Sequence, residues 1–244
     1  MLKNLIALSI FSVSAAVSAQ PNDFSNCPQF FAGGVAPVIA NLEARHPRAL
    51  CFDAFAVMYS GTTKTPVYVA ERLNRTQLTD AQDEKRTNRF YEEARLPSAE
   101  RSHLNDYKAS GYDRGHMAPA ADMPTAQAMA QSFSLANMVP QAPVNNRKTW
   151  AGIEKATRKY AMRAQGDVYV ISGPVFDKNP ATIGAGNVAV PGHLFKLVYD
   201  SATHKAWAYW VENVDSARAS RPISYAELLQ RTGMQLLNKA DIRE

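Results

Sequence analysis

The segment SGYDRGHMAPAADM, residues 110–123, places an acid, a base, an imidazole and a glycine side by side. It has neither the period of a helix nor the alternation of a strand. A neutral His116 imidazole can accept a proton from water near pH 7, and the Arg114 guanidinium can bind a phosphate through two hydrogen bonds. Gly115 permits a sharp turn or a close backbone approach. Asp113 either orients the imidazole or fixes the loop. We interpret the segment as a site that moves protons beside a phosphate.

The other histidines and the absence of several known motifs reduce the number of reactions that the chain could catalyse. Four histidines stand singly in polar or strand contexts and are interpreted as structural or surface residues: His46, His103, His193 and His204. The sequence has no His-Glu-x-x-His or Cys-x-x-Cys spacing, so nothing supports a zinc protease or a structural zinc. It also has no Gly-x-Ser-x-Gly elbow and no Walker motif.

A second polar group lies on a helix that we predict over residues 145–164. Asn146, Trp150, Glu154 and Arg158 are each four apart and share a stripe of roughly 120°. A solvated face with a Glu154–Arg158 pair, worth about 0.2–0.5 kcal/mol, is the alternative explanation. The preceding loop NMVPQAPVNN puts the free N–H groups of the helix start beside Asn146, where an anion such as phosphate is favoured. The Asn146 carbonyl oxygen is a ligand type that Mg²⁺ accepts while it keeps most of its waters.

The segments DRGHMAPAAD and NMVPQAPVNNRKTWAGIE together resemble the DNA/RNA non-specific endonuclease family, secreted nucleases with a ββα-metal (His-Me) finger. Further segments resemble the family in the same order: YSGTTKTPVYVAERL, RFYEEARLP, DYKASGYDRGH, SFSLANMVPQ, GHLFKLVYD and ISYAELLQRTGMQLL. The resemblance therefore covers most of the chain after its first residues. One departure is Phe133, four residues before Asn137, where a family pattern has an asparagine. The role of that asparagine is not carried over.

The resemblance implies a catalytic role for each matching residue. His116 corresponds to the general base that activates water, and Asn146 to the single asparagine that holds a water-rich Mg²⁺, with Mn²⁺ or another divalent cation as an alternative. Glu154 corresponds to the helix glutamate that orients metal-bound water. Arg114 corresponds to the motif arginine near the phosphate, and Arg89 to an upstream arginine that stabilises the charged transition state.

The resemblance also implies nucleic-acid substrates. Contacts to DNA and RNA are expected from Arg114, Asn137 and Arg158, and cleavage is expected to leave 5′-phosphate ends. A net charge of +5 and a pI near 9.2 are compatible with such a polyanion, although charge alone does not require one. Two other functions remain open at this point, a non-catalytic nucleic-acid-binding protein on the same fold and a secreted metallophosphoesterase for small molecules. The oligomeric state is also open.

The N-terminal residues are typical of an exported protein. Residues 1–19 contain one lysine, an apolar run and a small-x-small end, which predicts a secretory signal cleaved after Ala19. No later stretch approaches ~18 apolar residues, so we expect a secreted or periplasmic protein without a membrane segment. Cys27 and Cys51 then form either a disulfide or two buried free thiols.

We expect residues 20–244 to form one endonuclease domain, because no linker or internal repeat divides them. Apolar β-branched and aromatic runs predict strands at 50–60, 65–73, 167–176, 187–191, 193–200 and 205–213. Besides the helix over 145–164, helices are predicted over 126–136, capped by Thr125, and over 224–240, capped by Ser224, with Gly233 weakening the latter. The expected fold class is α+β: an antiparallel sheet flanked by helices, with a ββα-metal active-site motif.

Overall fold

The computed structural model describes residues 23–237, 242 and 243. The predicted signal over residues 1–19 lies outside the described residues. None of the helices in the described ranges is long and apolar enough to cross a membrane.

Within the described residues, eleven strands form one large sheet and two small ribbons. In chain order they are β1 (Pro47–Cys51), β2 (Phe55–Ser60), β3 (Thr65–Leu73), β4 (Asp113–His116), β5 (Met138–Gln141), β6 (Val168–Val175), β7 (Thr182–Ile183), β8 (Val188–Ala189), β9 (His193–Asp200), β10 (Lys205–Glu212) and β11 (Ile223–Ser224). The large sheet has the order β1-β2-β3-β6-β9-β10-β11, and β4-β5 and β7-β8 are separate pairs. Each neighbouring pair of strands is antiparallel.

In the same part of the chain, five α-helices accompany the strands: α1 (Arg75–Asp80), α2 (Leu104–Tyr107), α3 (Ala126–Ser132), α4 (Ala151–Ala161) and α5 (Tyr225–Thr232). The predicted caps are confirmed, since Thr125 accepts a hydrogen bond from the Ala128 N–H at 3.1 Å and Ser224 accepts one from the Glu227 N–H at 3.1 Å. Gly233 ends α5 in a left-handed conformation with φ 65°, which glycine adopts without steric cost. The α+β prediction is confirmed.

The predicted strand over residues 50–60 is wrong in one respect, because the chain reverses within it. The Phe52 N–H donates to the Phe55 carbonyl at 2.9 Å, and Cys51 then pairs with Ala56 across two antiparallel strands. The residues on both sides of the exposed Asp53 are apolar because both strands are largely buried, so hydrophobicity alone favours one continuous strand. Asp53 is a local sign of the turn.

The large sheet buries a hydrophobic cluster on each face. One cluster packs the N-terminal segment and α5 on side chains such as Met58, Phe195 and Leu197. The opposite cluster packs Met117, Phe133 and other residues of the site-bearing segments on alternate side chains of the same strands. The segments with the predicted chemistry therefore rest on a rigid sheet. A disulfide links Cys27 to Cys51, with 5.9 Å between their Cα atoms, as one of the two sequence alternatives predicted.

Candidate active site

The motif segment forms the first strand of the ribbon β4-β5. Gly115 lies opposite Val139, and a Cβ atom at Gly115 would lie 2.0 Å from Oε1 and 2.7 Å from Cβ of the buried Gln141. Only glycine permits this close approach of the two strands. The Gln141 side chain in turn donates to Asn145 Oδ1 at 2.9 Å. The glycine therefore fixes the distance between the motif strand and the start of the next helix.

His116 ends β4 and is buried, with 8% of its surface exposed. Its ring packs edge-on against Phe133, with 5.0 Å between ring centroids, and lies 5.8 Å from the Phe90 centroid. The buried Nε2 atom has no hydrogen-bond partner among the described residues. Burial and, to a lesser extent, the positive charge of Arg86 lower the pKa of His116 to about 3. The imidazole is therefore neutral near pH 7 and has a free ring nitrogen.

Asn146 and Asp113 are joined directly. The Asn146 amide Nδ2 donates to Asp113 Oδ2 at 2.9 Å, and Arg147 donates to both carboxylate oxygens of Asp113 at 2.8 and 2.6 Å. Because the amide nitrogen is held by a carboxylate, the orientation of the Asn146 side chain is fixed and its Oδ1 oxygen remains available as an acceptor. Of the two roles left open for Asp113, the structure thus supports orientation, but of Asn146 and not of His116.

The helix that bears Asn146 and Glu154 differs from a regular α-helix at its start. Residues Asn145–Trp150 are π-helical, and the Ala151 N–H donates to the Asn146 carbonyl five residues earlier. The wider turn rotates Asn146 relative to the regular helix that follows, so the predicted four-residue stripe is not an ideal α-helical face. The buried Trp150 indole N–H donates to the His116 carbonyl at 3.2 Å, which ties this helix to the motif strand.

Glu154 and Arg158 do not pair with each other in the way that the surface alternative required. Arg158 Nη1 donates to the buried Asp122 carboxylate at 2.8 Å. Glu154 is half-buried, and burial raises its pKa to about 7, while Lys196 and Arg158 favour its ionised form and Asp122 opposes it. A carboxyl group with this pKa can hold or release a proton near neutral pH.

Three buried polar side chains on the large sheet lie beneath the site: Glu71, Ser172 and Lys196. The Lys196 ammonium donates to Ser172 Oγ at 2.6 Å and lies 5.3 Å from the Trp150 ring centroid. Burial and the nearby Asp122 carboxylate raise the pKa of Glu71 well above its ordinary value. No motif in the sequence indicates this group, although a lysine within the apolar strand HLFKLVYD is a detectable signal of it.

Besides Arg147 and Arg158, two further arginines lie near the site, Arg114 and Arg86. The Arg114 guanidinium lies 4.1 Å from the Phe90 ring centroid, and that of Arg86 lies 5.1 Å from the Phe133 ring centroid. Both line a cavity of about 560 Å³ together with Asp113 and Asn146. Arg89 is exposed and is not among the residues that line this cavity. Arg86, which is also exposed, lines the cavity beside Asn146, whereas Arg89 does not.

The side chain of Asn137 stabilises the fold through hydrogen bonds to the backbone. It is fully buried, its Oδ1 accepts from the Ala118 N–H at 2.9 Å, and its Nδ2 donates to the Ala118 and Ser132 carbonyls at 2.9 Å each. Its donors and its acceptor are thus engaged by backbone groups of Ala118 and Ser132. This geometry gives no support to the expected substrate contact of Asn137, whereas Arg114 and Arg158 both line cavities beside the site.

The side chains fit a cation that keeps most of its waters better than a fully caged metal. No group of three or more His, Cys, Asp or Glu residues that could hold a metal occurs within the described ranges. Asn146 Oδ1, oriented through Asp113, is an oxygen donor of the type that Mg²⁺ prefers, and Mg²⁺ binds through few protein ligands. This donor set does not suit zinc, which prefers nitrogen and sulfur ligands.

The chain is similar to known nucleases. Residues 39–241 match the model of the family described as DNA/RNA non-specific endonuclease. The chain is 35% identical over 169 residues to Nuclease C1 of Cunninghamella echinulata var. echinulata, covering 64% of this chain and 67% of that protein. It is 33% identical over 186 residues to mitochondrial Nuclease 1 of Schizosaccharomyces pombe, covering 71% and 55% of the two chains.

The structural comparison concerns the fold alone. A crystal structure of the EndoG/EndoGI complex matches with a TM-score of 0.70 at 24% identity, covering 80% of this chain and 88% of that chain. The chain spans about half the length of mitochondrial relatives such as those of Schizosaccharomyces pombe (55%) and Danio rerio (43%).

Proposed function

This chain belongs to the DNA/RNA non-specific endonuclease family, and we propose that it hydrolyses phosphodiester bonds of DNA and RNA with His116 as the general base. One observation carries the proposal. The four-residue strand β4 has the neutral, buried His116 at one end, and at the other end Asp113, which holds the Asn146 amide at 2.9 Å. A proton acceptor and an oxygen ligand for a cation are thus fixed to one short, rigid element.

The chain's own groups account for most of the chemistry. His116 Nε2 takes a proton from a water molecule, and that water attacks phosphorus. The pKa of about 3 describes the protein without substrate, and a phosphodiester anion in the cleft raises it because an opposite charge favours the protonated ring. Arg114 and Arg86 stabilise the negative charge that develops on the phosphate oxygens. Glu154 orients water near the site.

The divalent cation, which we propose to be Mg²⁺, would be held by Asn146 Oδ1 and would supply charge stabilisation to the leaving oxygen. Asp113 is a positioning residue in this account, because it acts through Asn146. A single protein ligand gives modest affinity, so we expect activity to require Mg²⁺ in excess.

We also propose that the protein is exported, as the sequence of residues 1–19 suggests. The Cys27–Cys51 disulfide supports this, because disulfides persist mainly in oxidising compartments. Mass spectrometry of the protein recovered outside the cytoplasm should give Gln20 as the first residue. A full-length chain retained in the cytoplasm would contradict the proposal.

The proposed function and its two alternatives separate in one experiment. Plasmid DNA and RNA are incubated with the protein and Mg²⁺, with and without a chelator. An endonuclease nicks both polymers, with 5′-phosphate ends and with chelator sensitivity. A binding protein retards both without cutting, and a small-molecule phosphoesterase leaves both intact while it cleaves bis(p-nitrophenyl) phosphate.

A further inference from the structure

A second cavity, of about 730 Å³, lies beside α4. It shares Arg86 with the cavity that contains Asn146 and Arg114, and it reaches Arg158 one helical turn after Glu154. A strand with its phosphate at Arg86 would therefore pass from one cavity into the other. We call this second cavity the α4 groove.

Part of the lining of the α4 groove is apolar. Aliphatic and thioether side chains from three parts of the chain contribute to it: Leu78, Ala81, Ala120, Met129 and Met162. Four of them are buried in the core, with 2–6% of their surface exposed. These five side chains offer favourable contact to a flat apolar ring and carry no hydrogen-bonding groups for its edges.

The rim of the α4 groove is positively charged. Lys155, Lys159 and Arg163 line it, four residues apart on one side of the α4 segment, and all three are exposed. None of them forms an ion pair within the part of the chain that the structure describes. Glu84 is the acidic residue among the lining residues. The rim thus complements a polyanion.

We propose that the α4 groove is a nucleotide subsite. It holds one unstacked nucleotide of a single strand that extends from the scissile phosphate, with the base on the apolar lining and the flanking phosphates on the cationic rim. An unstacked base is required because the faces of a base within a duplex are covered by its neighbours. The contact tolerates every base, since no base edge is read. The inference rests on the proposed function. It adds where the nucleic-acid strand runs beyond the scissile phosphate and that this part of the substrate is single-stranded.

The first test fills the groove. Ala121 lines the groove and is exposed, so Ala121→Phe occupies the space without replacing a core side chain. We expect KM for a short single-stranded oligonucleotide to rise about tenfold, in line with the contribution of one base contact. The kcat for bis(p-nitrophenyl) phosphate, which is too small to reach the groove, should stay unchanged. On a strand of base-free sugar analogues, wild type and variant should have equal KM.

The second test changes the cationic rim of the groove, and it remains informative even if Ala121→Phe fails to fold. Replacing Lys155 and Lys159 by glutamine should lower the salt dependence of binding to single strands by about 0.7 in log–log slope for each cation removed. Lys205→Gln, which changes an exposed lysine on β10, is the control and should leave the slope unchanged.

The outcomes distinguish this inference from the proposed function. Wild-type protein that cleaves neither polymer nor the small diester would overturn the proposed function. Wild-type protein that cleaves both, together with an unchanged KM in Ala121→Phe or an unchanged salt slope in the rim variant, would overturn the subsite alone. A rise in KM that is equally large for base-free strands would also overturn it, because the base would then make no contact.

Discussion

At the residue scale, the least expected finding is the part played by Asp113. The sequence places it beside His116, yet its carboxylate binds the Asn146 amide and the Arg147 guanidinium, more than thirty residues later in the chain. An asparagine amide can rotate by half a turn and exchange its oxygen for its nitrogen, so a ligand of this type needs a partner that fixes it. In the proposed metal site, the motif aspartate meets that need.

This arrangement predicts the metal dependence of three variants. Asn146→Ala should raise the Mg²⁺ concentration for half-maximal plasmid cleavage steeply, because the protein oxygen is lost. Asp113→Ala should raise it less, by roughly 10–100-fold, because only the orientation of the amide is lost. Arg147→Ala, which leaves the 2.9 Å Asp113–Asn146 contact in place, is the matched control and should titrate like wild type. If the Mg²⁺ titration curves of all three variants were identical to that of wild type, Asn146 would be excluded as the ligand.

The neighbouring arginines give a second prediction at this scale. Arg86→Ala should lower kcat by about 10²–10³, the loss typical for removal of one group that stabilises transition-state charge. Arg89→Ala removes the same charge three residues later, outside the cavity beside Asn146, and should keep kcat within a few-fold of wild type. A larger fall in kcat for Arg89→Ala than for Arg86→Ala would instead support Arg89, the arginine that the motif RFYEE favours.

At the element scale, the sequence correctly predicted the features that depend on local residue patterns, namely helix caps and strand positions. The caps Thr125 and Ser224 and the strands Thr65–Leu73 and His193–Asp200 agree with the expected positions. The π-helical turn at Asn145–Trp150 was not predictable, because no local pattern of residue types distinguishes i→i+5 from i→i+4 hydrogen bonding. The turn that separates β1 from β2 contains the exposed Asp53, but the buried residues on both sides of it make the run resemble one continuous strand.

Gly115 lies within β4, where the lack of a side chain lets β4 and β5 approach closely, and this gives a prediction about stability. Gly115→Ala should lower the free energy of unfolding by about 1–3 kcal/mol through overpacking against Gln141. Gly152→Ala is the control, since a Cβ there meets nothing within 4 Å and alanine is favoured by about 1 kcal/mol in a helix. Urea denaturation measures both. Equal effects of the two substitutions would contradict the close approach.

At the scale of the whole molecule, the large sheet separates a structural face from a functional one. The N-terminal segment and α5 cover one face, and the motif segments cover the other above Glu71, Ser172 and Lys196. The family motifs indicated the residues of the site. They could not show which distant charges lie beneath it or that Asn137 is enclosed, because both follow from the packing of segments far apart in the chain.

The disulfide belongs to the structural face and tests this separation. Cys27→Ser with Cys51→Ser should cost about 2–4 kcal/mol of stability, mainly because the unfolded chain gains freedom. Since the link is remote from β4 and α4, kcat at a temperature where the variant is folded should be unchanged. Thermal melting and initial rates of plasmid cleavage measure the two effects. A large fall in kcat in the folded variant would show that the two faces are coupled.

The central claim is that His116 is the base of a phosphodiesterase, and the plasmid-nicking rate of His116→Ala tests it most directly. The variant is compared with wild type under saturating Mg²⁺, after circular dichroism and thermal melting have shown that it is folded. The account predicts a loss of turnover of about 10²–10⁴ with little change in binding to single-stranded DNA. Near-normal nicking by the folded, metal-supplied variant would contradict it.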